Sequence, residues 1–248
     1  MKKLLLGLAV LIVSNFIIAN TTSSPKLINN SRQLLVVTTD NWNSSTGQLQ
    51  LYERSNTMQG WQAVGGPISV VVGKTGLAWG AEIKHPPLPG PTKKEGDLKT
   101  PAGIFPIGSA FGFATSDIKN LKMPYIRIMP DTVCVDDSKS KFYNRIVNSD
   151  TIKKPDWHSG EQMHTVPQYM WGVQVDYNAG KKPILNGGSC IFMHIWKGPQ
   201  QGTVGCVAMP ESNIEQLTTW LNSKRKPMLV ILTKPAYKTL KKSWNLPV

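Results

Sequence analysis

Apolar residues in this chain cluster in short, β-prone runs of strand length, and that pattern limits the fold more than any other feature. Residues 33–39 (QLLVVTT) and 48–54 (QLQLYER) are two such runs, separated by Asp, Asn, Ser and Gly, the composition of a hairpin loop. Residues 70–72 end at a turn between Gly73 and Gly76, and 125–129 (YIRIM) alternate as a half-buried strand does. Residues 172–177 (GVQVDY) and 190–195 (CIFMHI) flank a loop holding Asn178, Gly180, Pro183, Gly187 and Gly188, a hairpin-like arrangement. Residues 228–233 (MLVILT) read as a last buried strand. One helix stands out: Ser212 and Glu215 form a capping box, and Ile214, Leu217 and Leu221 recur at helical spacing with Trp220 beside them. The class predicted is mainly β with few helices. Two long stretches, 81–100 and 131–165, show no clear periodicity; loops of that length are usually functional, and they are expected to surround a site.

The first residues address the compartment. Lys2 and Lys3 precede an almost wholly apolar stretch, 4–18, and Ala19 precedes a polar run of Asn, Thr and Ser, the layout of a secretory signal peptide over 1–19. Ile17 is bulkier than the small residue that cleavage after Ala19 prefers, so the cut itself is not fixed. The stretch falls short of the roughly 20 residues a spanning helix needs, so no stable membrane insertion is expected after cleavage. The mature chain then reads as a domain over 20–233 followed by a Lys-rich tail, 234–248, with no defined structure of its own. A net charge of +13 suggests nucleic acid for a cytoplasmic protein; export makes an anionic polymer of the periplasm or cell envelope the expected partner instead. No cofactor is called for, and the oligomeric state is not legible.

Three cysteines, Cys134, Cys190 and Cys206, are an odd number for an oxidising compartment, so one stays free unless it pairs between chains or is modified. Cys206 ends the run Gly202-Thr203-Val204-Gly205-Cys206, where small residues let main-chain N–H groups approach a substrate closely and build an oxyanion hole. A cysteine nucleophile needs an imidazole to take its proton, and His194 is the nearest histidine in sequence. The plain alternatives are a buried structural cysteine and a histidine that only packs. A zinc site is disfavoured, because on one strand Cys190 and His194 would stand roughly 13 Å apart at ~3.3 Å per residue. Pairing Cys134 with Cys190 leaves Cys206 free, and export favours that disulfide; the alternative is two unpaired buried thiols.

Gly188-Ser-Cys-Ile-Phe-Met-His194, then Thr203-Val-Gly-Cys206-Val-Ala-Met209, then a helix, resembles the YkuD-type L,D-transpeptidase catalytic domain. Gly96-Asp-Leu-Lys-Thr-Pro-Ala-Gly103 is similar to the family's GDxxTPxG stretch, and Trp171 to Asn178, Cys134 to Ser138 and Phe142 to Asn144 extend the likeness over much of 93–233. The resemblance implies a β-sandwich with a mixed sheet. It also implies that Cys206 attacks peptidoglycan stem peptides to give a thioester, which an amine acceptor resolves into a 3→3 cross-link. His194 would serve as base and then acid, Gly205 and Cys206 would offer oxyanion N–H groups within the Thr203 loop, and a main-chain carbonyl would orient the histidine. Two departures stand out: Val204 where many members have His, and Ala208 where many carry Arg or Asn. Substrate contacts are therefore sought in the long polar loops, at Asp97, Lys99, Asp136, Asp137 and His158. Two other functions remain open: an L,D-carboxypeptidase resolving the same thioester with water, and a non-catalytic wall-binding protein.

Overall fold

The computed structural model describes residues 26–115 and 118–248; the expected signal peptide, 1–19, lies outside the described residues. After a short helical turn, α1 (Lys26–Asn29), the strands β1 (Gln33–Thr39), β2 (Thr46–Glu53) and β3 (Gln62–Val71) form an antiparallel meander. β4 (Leu77–Trp79) and the long β5 (Thr100–Gly112) follow, then β6 (Tyr125–Arg127). A small separate sheet holds β7 (Thr132–Val135), β8 (Arg145–Asn148) and β9 (Glu161–Gln162). Two 3-10 turns, Met163–Thr165 and Pro167–Met170, lead into β10 (Trp171–Val175), β11 (Phe192–Ile195) and β12 (Val207–Met209). The chain ends with α2 (Glu211–Trp220), β13 (Met228–Thr233) and α3 (Lys234–Leu240).

The large sheet is mixed, in the order β10-β11-β12-β3-β2-β1-β13-β5, and β5 pairs again with β10. That last pairing closes the ring. The expected sandwich is therefore corrected to a closed, barrel-like sheet. The reason lies in the length of β5: it pairs with β4 at its start, with β13 in its middle, and with β10 and β6 at its end, so one strand serves as two edges. Its prolines and glycines hide this in the sequence, and a register shift between Val173 and Val175 accommodates the bend.

Strand alternation then sorts the side chains. Val173, Met193, Val207 and Met209 face the main core, where Ile214, Leu217 and Leu221 of α2 pack against them. The helix forms as its apolar spacing dictates, but it starts at Glu211 after Pro210, with no side-chain cap, so the expected Ser212–Glu215 box is not its start signal. Residues 234–248 also depart from expectation. Ala236, Leu240, Trp244 and Leu246 are buried in the main core, and α3 is capped by Thr233 Oγ1, which accepts from the Ala236 N–H at 3.2 Å. The lysines mask an apolar face at helical spacing.

The stretch 131–165, aperiodic in sequence, is the small sheet β8-β7-β9. Its strands are too short to register as a pattern, and its buried side chains, Cys134 and Met163, join Phe111, Tyr169, Phe192 and Cys206 in a second apolar cluster. That cluster lies on the face of β10–β11–β12 opposite α2. A disulfide between Cys134 and Cys190, with Cα atoms 6.1 Å apart, staples the small sheet to the residues just before β11. Among the described residues no helix is long and apolar enough to cross a membrane.

Candidate functional site

Cys206 is the free cysteine, and it sits at the seam between the barrel and the small sheet. It immediately precedes β12, which runs parallel to β11 with Met193 opposite Val207 and His194 opposite Ala208. Cys206 and His194 thus arrive on neighbouring strands from opposite ends of a short connection. The thiol is 4% exposed. Its sulfur accepts from the Phe192 N–H at 3.3 Å, and the S–H is directed at the Cys190 carbonyl at 3.5 Å. Burial pushes this thiol up to about 12; the Glu161 carboxylate adds to the rise, while the Phe192 N–H and the Lys93 ammonium oppose it.

His194 Nδ1 lies 2.7 Å from the Ile195 carbonyl. A carbonyl only accepts, so Nδ1 carries the proton and Nε2 keeps a free lone pair. Burial lowers this imidazole to about 4, the Ile195 carbonyl resists that, and Lys197 assists it. The ring is packed edge-on against Tyr169, centroids 5.2 Å apart. Both the thiol and the imidazole are therefore neutral at pH 7. The arrangement offers an imidazole with a free Nε2 lone pair on the strand next to a protonated thiol, with no standing ion pair.

The loop before Cys206 is held by hydroxyls. Thr203 Oγ1 donates to the Cys206 carbonyl at 2.6 Å and accepts from the Gly205 N–H at 3.1 Å. Buried Thr100 donates to the same carbonyl at 3.2 Å and accepts from the Gly73 N–H at 2.8 Å. Gly205 has φ +152°, and a Cβ there would stand 3.2 Å from both the Lys99 carbonyl oxygen and Ile191 Cδ1. Only glycine meets both demands at low cost. The Gly205 N–H is thus engaged by Thr203, whereas the Cys206 N–H has no protein partner among the described residues.

The loop candidates divide. Asp97 accepts from Lys93 Nζ at 2.6 Å, from the Lys94 N–H at 2.8 Å and from the Lys99 N–H at 2.9 Å, so it shapes the turn that delivers Thr100. Lys99 donates to the Thr75 carbonyl. Asp137 accepts from the Lys139 and His158 N–H groups, which hold its carboxyl below the usual range; it and exposed His158 form a surface turn. Asp136 differs, since its Oδ1 is buried without a partner and its charge bears on Glu161. Val204 is 63% exposed, and Ala208 is fully buried, offering no polar group.

Several contacts in this region were not legible in sequence. Asn144 accepts from the Cys190 N–H at 2.8 Å and donates to the Tyr177 and Asn178 carbonyls, fixing the loop before β11. Glu95 accepts from Tyr143 and Ser189. Lys93, with 3% side-chain exposure, is paired with Asp97 close enough to the thiol to act on it. Tyr169 and Glu161 complete the surroundings. No spacing rule links these positions to Cys206; the fold alone assembles them. Among the described residues no group of three or more His, Cys, Asp or Glu could hold a metal ion.

No curated protein and no solved structure matches the chain. A family model does: the L,D-transpeptidase catalytic domain, YkuD, matches residues 41–231, a span that holds every strand from β4 to β12 and both Cys206 and His194. With most of its length covered by that match, the chain belongs to the YkuD L,D-transpeptidase catalytic-domain family.

Proposed function

We propose that the protein is an exported peptidoglycan L,D-transpeptidase with Cys206 as nucleophile and His194 as its base. Cys206 Sγ attacks the carbonyl of the third stem residue, and the thiol proton passes to His194 Nε2 as the C–S bond forms. The amide C–N bond then breaks, His194 returns the proton to the departing D-alanine nitrogen, and a thioester remains. An acceptor amine attacks that thioester, restores the thiol and leaves a 3→3 cross-link. The Cys206 N–H is the donor free to meet the developing oxyanion.

One observation carries this reading: the free cysteine directly precedes the strand that pairs with the His194 strand, and His194 Nδ1 is bonded to a carbonyl, leaving Nε2 as an acceptor. The S–H points to the Cys190 carbonyl at rest and must turn toward the imidazole in the substrate complex, where such bonds tighten. The 4% exposure of Cys206 limits the water that reaches a thioester there, which favours transfer over the L,D-carboxypeptidase reaction. The leader expected over 1–19 supports an envelope location, and stem carboxylates suit the net positive charge.

Incubation with tetrapeptide muropeptides and excess acceptor, read by mass, tests the proposal. Cross-linked dimers and a covalent adduct at Cys206 are expected. Tripeptide and free D-alanine alone, at every acceptor concentration, would assign the carboxypeptidase reaction instead, and neither product nor adduct would leave a wall-binding role.

A further inference from the structure

Tyr169 stands where two reactive elements meet. Its ring packs edge-on against His194, with centroids 5.2 Å apart, and against Phe192 at 5.5 Å, the residue whose N–H bonds the Cys206 sulfur. It also meets Phe111 at 5.5 Å, so three neighbours fix the plane of the ring. Tyr169 itself is 3% exposed, and its hydroxyl donates to Glu161 Oε2 at 2.7 Å. Glu161 belongs to β9, and that strand pairs with β7, which the disulfide ties to the segment before β11.

The other support of the imidazole is weaker than it looks. The Ile195 carbonyl that receives Nδ1–H belongs to the next residue, so this bond fixes the tautomer while the side chain can still swing with its own backbone. An edge-on aromatic contact adds only a modest attraction of its own, and its value here is steric and directional. A tyrosine anchored at its far end holds its ring edge in one place, whereas a ring packed only by neighbours can slide.

We propose that Tyr169, anchored through its hydroxyl by Glu161, is the positioning residue that holds the His194 imidazole in line with Cys206. The inference rests on the assignment of Cys206 and His194 as the reacting pair. Neither Tyr169 nor Glu161 exchanges a proton with substrate in this scheme. Glu161 is a hydrogen-bond anchor, and its role requires an acceptor oxygen, not a charge. The relay also couples the small sheet to the chemistry, because the anchor sits on β9 and the base on β11.

The test is saturation kinetics of Cys206 acylation by a carbapenem, a β-lactam whose strained amide a thiol can open, with the maximal rate separated from the half-saturating concentration. Tyr169→Phe keeps the ring and removes the anchor; its maximal rate should fall about tenfold with the half-saturating concentration within about twofold of wild type, since small misplacements of a reacting group are costly. Glu161→Ala should match it, Glu161→Gln should retain most of the rate by keeping an acceptor oxygen, and Tyr169→Phe/Glu161→Ala should be no slower than either single variant. His194→Ala serves as reference. If His194→Ala acylates like wild type, the base assignment fails and the inference with it. If His194→Ala is slow but Tyr169→Phe is not, Tyr169 only packs. A change confined to the half-saturating concentration would make it a ligand contact, and losses that multiply in the double variant would break the link to Glu161; either outcome overturns the proposal.

Discussion

Replacing both bridged cysteines, Cys134→Ala with Cys190→Ala, should cost the protein a large share of its stability. The bond joins residues 56 apart in sequence. Closing a loop of that length removes roughly 14 cal/mol/K of entropy from the unfolded chain, or about 4 kcal/mol at 25 °C. For a domain of this size each kcal/mol moves the melting temperature by about 2–4 °C, so a drop of roughly 8–16 °C is expected. Residual structure in the reduced unfolded chain pulls the effect toward the lower end. Thermal unfolding followed by circular dichroism measures it, and thiol titration of the unfolded, unreduced wild type supplies the control, in which one group should react. A drop below about 3 °C, or three reactive thiols in the control, would refute the reasoning.

Cys206→Ala should abolish adduct formation and turnover while leaving the melting temperature within a few degrees, since the alanine removes one buried sulfur and keeps the loop hydroxyls in place; a variant that still turns over would move the nucleophile elsewhere. Thr100→Val should leave the buried Gly73 N–H without its 2.8 Å acceptor and cost about 1–3 kcal/mol, seen as a lower urea midpoint at unchanged slope. His194 titrates lower in the folded state, about 4 against 6.5, so between those values the unfolded chain binds more protons and stability falls as pH falls. The difference amounts to at most about 3 kcal/mol, less a discount for the ring's remaining exposure, and is complete by about pH 4. Denaturant midpoints of wild type and His194→Gln, compared from pH 7 to pH 4, should converge toward the acid end; parallel curves would show that the imidazole is not held neutral by burial.

Local pattern revealed much of the sheet and little of its closure. Residues 33–39 and 228–233 are strands at the expected bounds, because uninterrupted β-branched runs state their burial in every residue. β5 was hidden, since Pro101, Gly103, Pro106 and Gly108 interrupt it, yet those residues suit a strand that bends and changes partners. Whether a mixed sheet stacks or closes depends on the meeting of β5 and β10, a long-range pairing that no local run encodes. The site divides the same way. Cys206 and His194 stand out through residue type and the glycine-rich approach, and Thr100 lies within a quoted motif although its hydroxyl bond to the Cys206 carbonyl was not foreseen. Tyr169 and Glu161 carry no spacing relation to the thiol, and charged loop residues such as Asp97 and Asp137 looked substrate-facing because polar turn formers and ligand contacts share a composition.

The pairing of β1 with β13 has a consequence for how the protein is made. Leu34 lies opposite Met228 and Thr39 opposite Thr233, so the first strand of the ring waits for the last before its second side is covered. Such distant partners make assembly slow compared with a helical bundle, because chain entropy is lost before the contacts that compensate it are formed. During synthesis, a chain that has delivered Cys206 but not residues 228–233 has that cysteine without the ring that supports it. Support for the Cys206 segment therefore arrives only with residues 228–233, and a truncation removing β13 should yield an aggregation-prone chain with an exposed edge at β1.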